Sequence, residues 1–388
     1  MKIGIEKEII LTTGANMKPK NQFGLSQLLT LLFQSRLDFF CEGKYWHIRS
    51  IPLANKWNLI LAGLDHLHRG TATISQPTGL MLEPADVCNL DCTGCWTNNP
   101  DHKDRSHYLS VKHFEKIMND LGDYLNVIWL WGWGEPFLNK NIYQMIRMAR
   151  QKNIVVISST NGNVRWDNRE LEELVTSGLS KLIFAVDGMD QETYSKYRIN
   201  GNLELVLENI QKLVETKKRL GSDLPLINMR MLVMGHNEHQ TEDFVPLGKS
   251  LGADIVSFKT MCDYRKEGRN ADFPINKKYQ RYDFDKLKSP DAKKERYYCY
   301  RPWRRLEIFA DGAVTPCVFD LDREYLLGRL DDDIPLTVLW NNPVMKNFRR
   351  QFITEVDKIS FCNHCPYKRQ VVWDATVEYH WLTDAARA

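Results

Sequence analysis

Short apolar runs alternate with amphipathic runs through the middle of the chain. Between residue 80 and about residue 262, six β-rich segments are separated by longer segments in which apolar residues recur with helical spacing. This alternation predicts an α/β fold with a parallel sheet of right-handed βαβ units. Six units are typical of a partial barrel. The predicted strands are residues 80–83, 127–130, 154–158, 182–186, 227–234 and 255–258, and the predicted helices include residues 113–121, 142–151, 169–177 and 203–219.

The regions on either side of these units have different patterns. Residues 1–76 contain two helix-like stretches, 25–40 and 55–68, which predict a helical N-terminal extension of unknown role. We assign the partial barrel to residues 77–265 and a basic connector to residues 266–298. The connector is expected to be solvated, with a phosphate- or carboxylate-binding patch as the alternative. Residues 299–388 then form a small C-terminal α+β domain, in which the stretch around Tyr379 and Trp381 is predicted to be helical, together with Trp373.

Composition narrows the functional classes. The chain has 388 residues, 43% apolar and 26% charged, with a net charge of +3, so neither a nucleic acid nor an anionic membrane is needed as partner. No apolar run of about eighteen residues and no signal peptide is present, which predicts a cytoplasmic protein without a membrane partner. Nine cysteines suit a disulfide framework poorly, and in a reducing compartment close cysteine spacings indicate metal.

Seven of the nine cysteines form two groups with metal-ligand spacing. The first is a Cys-x3-Cys-x2-Cys loop directly after the first predicted strand. A 4Fe–4S cluster has four irons, so three thiolates leave one iron open to another ligand. Four thiolates close a site. Zinc is the alternative for both groups, and it is the stronger alternative for the second. The groups are Cys88, Cys92 and Cys95, then Cys299, Cys317, Cys362 and Cys365.

Polar residues follow the other predicted strands. In barrels of this kind the active site lies at the carboxyl ends of the strands. Glu135 follows the second strand, Asn161 the third and Asp187 the fourth, while Cys262 follows the sixth. Hydroxyl and amide groups suit a diol, and a glycine-rich strand end lets the backbone approach a ligand closely. We therefore expect these residues to line one mouth.

The cysteine loop and these motifs together resemble the radical S-adenosylmethionine (SAM) superfamily. The resemblance covers most of the chain. It implies that the three cysteines hold a 4Fe–4S cluster whose open iron is bound by SAM. One electron then cleaves SAM to methionine and a 5′-deoxyadenosyl radical, which abstracts hydrogen from a substrate. A flavodoxin- or ferredoxin-type protein is the implied electron donor.

The same resemblance assigns SAM contacts residue by residue. The segment Trp133-Gly134-Glu135-Pro136 looks like the family's GGEP motif, which receives the SAM ammonium. The family usually has an aromatic residue before the third cysteine, where this chain has Gly94, and Trp96 is expected to take its place beside the adenine. Arg198 or Arg230 is expected to pair with the carboxylate. The implied cofactor-binding residues are Trp96, Trp133, Gly134, Glu135, Ser159, Asn161, Asp187, Arg198 and Arg230.

The second cysteine group is similar to the SPASM auxiliary-cluster domain. Cys299, twelve residues, Gly312, four residues and Cys317 match its start, and Cys362-x2-Cys365 matches its next element. The longer form continues with three more cysteines, which are absent here. The resemblance therefore implies one auxiliary 4Fe–4S cluster, as in the abbreviated twitch form.

The leading hypothesis is a radical SAM oxidoreductase or epimerase acting on a small polar molecule such as a sugar, aminocyclitol or nucleoside. As a hydrogen-atom donor Cys262 would make the enzyme an epimerase, whereas a packed, inert thiol there favours a dehydrogenase in which the auxiliary cluster accepts the second electron. A peptide-modifying maturase is one alternative. A non-catalytic iron–sulfur or zinc protein is the alternative from another class.

Overall fold

The fold is built on one ten-stranded sheet and a separate two-stranded hairpin. The computed structural model describes residues 25–98, 106–262, 272–283, 299–368 and 375–387. The strands are β1 Leu37–Cys41, β2 Lys44–Ile48, β3 Gly79–Leu82, β4 Val127–Trp129, β5 Val155–Thr160, β6 Lys181–Ala185, β7 Leu226–Val233, β8 Ile255–Thr260, β9 Arg305–Ile308, β10 Ala313–Thr315, β11 Gly328–Arg329 and β12 Thr376–Trp381.

The six central strands, β3 to β8, lie side by side in chain order and are all parallel. The predicted partial (β/α)6 barrel is therefore confirmed, with each predicted strand overlapping an observed one. The C-terminal domain continues the same sheet at both ends. On one side β9 pairs with β3 in parallel and β10 and β11 follow it, and on the other side β12 pairs with β8 in the antiparallel direction.

Helices cover the outer face of the barrel. Local sequence sets their starts: the Ser110 hydroxyl accepts the backbone N–H of His113, and Asp167 forms a capping box with Glu170. None of the described helices is long and apolar enough to span a membrane. The helices are α1 Leu25–Gln34, α2 Leu53–His68, α3 Val111–Leu121, α4 Ile142–Gln151, α5 Asn168–Thr176, α6 Gln191–Ser195, α7 Leu203–Arg219, α8 Thr241–Leu251, α9 Leu336–Leu339, α10 Pro343–Thr354, α11 Ser360–Asn363 and α12 Asp384–Arg387.

A second apolar core fills the base of the barrel lumen. Side chains of the N-terminal segment pack there against lumen-facing side chains at the starts of the parallel strands. Burying each aliphatic side chain contributes about 1.5–3 kcal/mol, so this segment closes the base stably. The N-terminal members are Leu31, Leu37, Trp46, Ile48 and Ile51, and the strand members are Val127, Val155, Ile157, Ile183 and Leu226.

Two helical predictions at the ends of the chain are wrong. The helix expected over residues 25–40 ends at Gln34, and residues 37–48 instead form the β1–β2 hairpin. Its turn is made at Gly43, whose φ of +78° favours glycine. The stretch around Tyr379 and Trp381 is strand β12, because pairing with the free edge of β8 outweighs its local pattern. Trp373 lies outside the described residues.

The basic connector is not simply solvated where it is described. Arg281 is buried and donates to the hydroxyl and carbonyl oxygens of Thr260 at the end of β8. Tyr279 packs its ring against that of Phe258. Residues 272–283 therefore pack against the barrel at β8. The basic composition of the segment had predicted a solvated connector instead.

Candidate active site

The upper part of the barrel lumen is open to solvent. Each of the six parallel strands is buried except at one position near its carboxyl end. The strand pairings place all six of these positions on the lumen face, because the opposite face is covered by helices. We call these six residues the chamber ring. They are Met81, Trp129, Ser159, Ala185, Leu232 and Lys259.

The first cysteine group lies on a loop directly after β3. A backbone hydrogen bond from Cys95 to the carbonyl of Cys92 (3.1 Å) closes its turn, and Gly94 there has φ +78°. Backbone N–H groups of Asp91 and Thr93 donate to carbonyls of the segment after α6, at Ile199 and Tyr197, each at 3.1 Å. The loop is therefore fixed against the fourth βα connection.

Polar side chains from other strand ends contact the sulfurs of this loop. The Asn161 amide nitrogen lies 3.7 Å from the sulfur of Cys88. The Arg198 guanidinium lies 3.4 Å from the sulfur of Cys92, and its Nε donates to a carboxylate oxygen of Asp187 at 2.7 Å. The structure thus brings together the predicted residues after the third and fourth strands at the cysteine loop.

The electrostatics of these thiols fit a cationic cluster. Burial, together with the charges of Glu135, Cys92 and Cys95, raises the pKa of Cys88 to about 12. Burial also raises the pKa of Cys92, against the opposing effect of Arg198. The raised pKa values of Cys88 and Cys92 mean that their thiolates are disfavoured without a metal, and bound iron would compensate the negative charge. In the described ranges no three His, Cys, Asp or Glu side chains are already placed to hold a single metal ion.

Glu135 is the buried acid of the GGEP-like turn. Its carboxylate accepts the Thr160 hydroxyl at 2.9 Å, the backbone N–H of Asn161 at 2.8 Å and that of Phe137 at 3.2 Å. Burial raises its pKa to about 7 despite these donors. At Gly134 a Cβ would collide with the carbonyl oxygens of the cysteine loop, so the turn needs glycine there.

Sequence reasoning missed Glu83, the residue directly after β3. Its carboxylate accepts the backbone N–H of Trp133 at 2.7 Å and that of Ala310 at 3.3 Å. Burial raises its pKa to about 7. Glu83 therefore joins the first strand, the GGEP-like turn and the C-terminal domain. An acid at the end of a buried parallel strand was the available signal.

The second cysteine group lies near a partly buried arginine, Arg301, whose pKa is raised by Tyr367 and by the thiols of Cys299, Cys317 and Cys365 despite burial. Burial raises the pKa of Cys317, although Arg301 opposes this, and Glu307 and Cys365 raise it further. Burial likewise raises the pKa of Cys362, with added effects of the other three thiols. The Arg301 guanidinium lies 4.4 Å from the centre of the Tyr367 ring. Four adjacent thiols beside one fixed cation suit a closed cluster of net negative charge.

Trp133 connects the two cysteine groups. Its ring centre lies 6.4 Å from that of Trp96, next to Cys95, and 6.3 Å from that of Phe319, two residues after Cys317. Its indole N–H donates to the carbonyl of Val318 at 3.4 Å. The residue at the first Gly of the GGEP-like motif is thus an aromatic contact between the two sites.

Two predicted residues lie apart from the cysteine loop. Arg230 points into the lumen below the chamber ring, where it bonds the carboxylate of Glu42 at 2.8 Å and the hydroxyl of Ser257 at 3.0 Å. Cys262 is buried just beyond β8. Lys259 faces the lumen, so continuing the alternation of β8 would place Met261 on the lumen side and Cys262 on the other.

Comparisons with known proteins agree with this arrangement. A profile described as the radical SAM superfamily matches residues 82–246, and the SPASM profile, described as an iron–sulfur cluster-binding domain, matches residues 299–366. The chain is 26% identical over 268 residues to a tungsten-containing aldehyde ferredoxin oxidoreductase cofactor-modifying protein of Pyrococcus furiosus, covering 64% of this chain and 74% of that protein.

Two further similarities are more limited. The chain is 27% identical over 188 residues to a GTP 3′,8-cyclase of Alkaliphilus oremlandii, covering 47% of this chain and 56% of that protein. Its fold is similar to that of Streptococcus suis SuiB bound to precursor peptide SuiA, with a TM-score of 0.56, 14% identity, and 87% of this chain and 82% of that chain covered.

The two profiles contain both cysteine groups and all of the parallel-strand ends except that of β8. The geometry and the profiles agree on which strand ends surround the first group. The cofactors are SAM and 4Fe–4S clusters, one of them auxiliary. The chain belongs to the radical SAM superfamily and carries a SPASM-type iron–sulfur domain.

Proposed function

We propose that this enzyme abstracts a hydrogen atom from a small polar molecule held in the chamber and oxidises it. When bound, the clusters supply the electron that cleaves SAM to methionine and a 5′-deoxyadenosyl radical, and accept the second electron of the oxidation. The observation that carries the proposal is the contact of Arg198 and Asn161 with the sulfurs of a three-cysteine loop above a partly open chamber.

We assign the SAM contacts from these positions. Arg198 is the candidate for the carboxylate, because it already lies beside Cys92 and is held by Asp187. Glu135 and the adjoining Gly134 carbonyl are the candidates for the ammonium, since one carboxylate oxygen of Glu135 accepts only one bond among the described residues. Under this assignment Arg230 does not contact SAM and keeps its ion pair with Glu42 in the lumen.

The remaining assignments concern the nucleoside. Asn161 and Ser159 stand at the end of β5 and suit the ribose diol. Trp96 and Trp133 form an aromatic wall beside the cysteine loop and suit the adenine. These side chains orient the cofactor and exclude water, whereas the buried chamber base keeps the substrate near the loop.

Oxidation is favoured over epimerisation by the position of Cys262. A hydrogen-atom donor must reach the substrate radical, and the alternation of β8 directs Lys259, rather than Cys262, into the chamber. Cys262 then acts as a packed thiol. The auxiliary cluster site is the candidate acceptor of the second electron, because Trp133 contacts aromatic residues beside both cysteine groups.

The first test is reductive SAM cleavage. Reconstituted wild-type protein with dithionite and SAM is expected to form 5′-deoxyadenosine, measured by liquid chromatography, and Cys92→Ala is expected to fall to the background rate. Cys41→Ala is the matched control, because that cysteine belongs to neither group. A wild-type protein that forms none would indicate a non-catalytic iron–sulfur or zinc protein.

The second test separates the outcomes of the reaction. With substrate in deuterated water, wild type is expected to give a product without solvent deuterium, and Cys262→Ala is expected to turn over normally. Solvent deuterium that enters the product only when Cys262 is present would establish epimerisation instead. Cys365→Ala is expected to retain SAM cleavage but lose the oxidised product.

A further inference from the structure

Apart from Lys259, the basic side chains on the lumen face of the described strands have protein partners, because both arginines pair with a carboxylate and Lys181 donates to the carbonyl oxygen of Glu42. The Arg230 guanidinium is neutralised by Glu42 at 2.8 Å, and the Arg305 guanidinium by Glu307 at 2.6 Å. Lys259 has no ion pair or hydrogen bond within the part of the chain that the structure describes. It influences Glu42 only from a distance.

The other five members of the chamber ring carry no charge. Met81, Trp129 and Leu232 give apolar surface, while Ser159 and Ala185 are small. One face of the Trp129 ring is covered by the guanidinium of Arg305, 5.1 Å from the ring centre. Among the six residues of the chamber ring, Lys259 is therefore the charged one, and its side chain is partly buried.

A partly exposed ammonium with no partner among the described residues has N–H donors for a bound anion, and such charge-assisted hydrogen bonds are strong. We propose that Lys259 binds a carboxylate or phosphate group of the substrate, so that the enzyme selects acidic small molecules. This inference rests on the proposed function in taking the chamber as the substrate site. The binding of an anion by Lys259 does not depend on the proposed function. Lys259 is a specificity-determining residue under this proposal.

The activity test divides candidate substrates by charge. Small molecules from a bacterial extract are separated on an anion-exchange resin into retained and unretained fractions. Each fraction is added to full-length reconstituted enzyme with SAM and dithionite, and 5′-deoxyadenosine formed above the substrate-free rate is measured. The retained fraction is expected to stimulate the wild type. Stimulation by the unretained fraction alone overturns the proposal.

Three variants locate the effect. Lys259→Met is expected to weaken the stimulation at limiting concentration about tenfold, the value of a charge-assisted hydrogen bond. Lys259→Arg is expected to retain most of it. Lys249→Met, on the exposed side of α8, is the matched control. An unchanged response of Lys259→Met overturns the proposal.

A binding measurement is independent of the radical reaction. Acetylation of individual lysines in the intact holoprotein is followed by mass spectrometry with inorganic phosphate or acetate as the probe. Either anion is expected to protect Lys259 and to leave Lys249 unaffected, and the stronger protector distinguishes phosphate from carboxylate. If neither anion protects Lys259, the proposal is overturned, whether or not SAM is cleaved. If SAM is not cleaved but Lys259 is protected, only the proposed function fails.

Discussion

The base and the mouth of the barrel differ in how their charged side chains are paired. At the base, the hairpin turn places Glu42 against Arg230 and its carbonyl against Lys181, so each charge has a protein partner. At the mouth, Lys259 faces the chamber without a partner in the described residues. This difference in pairing underlies our proposal that Lys259 binds a ligand, and each prediction below tests the contrast between base and mouth.

The largest effect is expected from the Glu42–Arg230 pair. Glu42→Gln leaves a buried guanidinium uncompensated and is expected to lower the free energy of unfolding by about 3 kcal/mol. In a cycle with Arg230→Met, measured by urea denaturation, the double variant is expected to lose less than the sum of the single variants. The exposed Arg219–Glu172 pair is the control, because Glu172→Gln is expected to cost less than about 1 kcal/mol. Additive losses would contradict the coupling.

The second-largest loss of stability is expected from a substitution in the β1–β2 turn. Gly43→Ala adds both strain at φ +78° and a collision with the Tyr379 ring, whereas Gly221→Ala at φ +61° adds the strain alone because nothing lies within 4 Å. Gly43→Ala is therefore expected to cost about 1–3 kcal/mol more than Gly221→Ala. Thermal unfolding of the two variants measures the difference. Equal costs would mean that the Tyr379 ring yields to the added methyl group without loss.

A pH effect is expected at Lys181. Burial lowers its pKa to about 7, and the charge of Arg230 lowers it too, although Glu42 opposes this. Between pH 7 and its unfolded pKa near 10.4, the unfolded state binds more protons at this site, so wild-type stability relative to Lys181→Met is expected to rise with pH. Denaturation at pH 7, 8 and 9 measures that difference. A difference that stays constant would show that Lys181 keeps its ordinary pKa.

The smallest effect is expected at the mouth. Lys259→Met removes a charge that no described residue neutralises, and its stability is expected to stay within about 0.5 kcal/mol of wild type. Chemical denaturation without ligand is the measurement. A loss of stability as large as that of Glu42→Gln would show that Lys259 stabilises the fold. The base and the mouth would then not differ in this respect.

The sequence predicted those parts of the fold that depend on local pattern. The six parallel strands are short runs rich in apolar residues, so they were visible in the sequence, and the cysteine spacings indicated both clusters. The β1–β2 hairpin and β12 were not visible, because each is set by a distant edge or lumen. The chamber ring was also hidden, since exposure at Lys259 or Ser159 arises only when the strands curve around a common axis.

The residues of the candidate site also fall into those that the sequence predicted and those that depend on long-range contacts. Glu135, Asn161 and Asp187 follow strand ends and were predicted from position. The pairing of Glu42 with Arg230 joins residues 188 positions apart, and no local pattern records it. Arg230 was expected, as the alternative to Arg198, to pair with the SAM carboxylate, whereas its contacts with Glu42 and Ser257 lie in the base of the lumen.

The turn at Gly43 also imposes an order on the synthesis of the protein. Its carbonyl accepts the indole N–H of Trp381, 338 residues later, and Lys44 donates to the carbonyl of Ala385. The ribosome makes the hairpin first and its anchors last, while the six parallel strands emerge between them. The hydrogen bonds that anchor the turn can therefore form only after translation has passed residue 385, later than the strands against which the N-terminal segment packs.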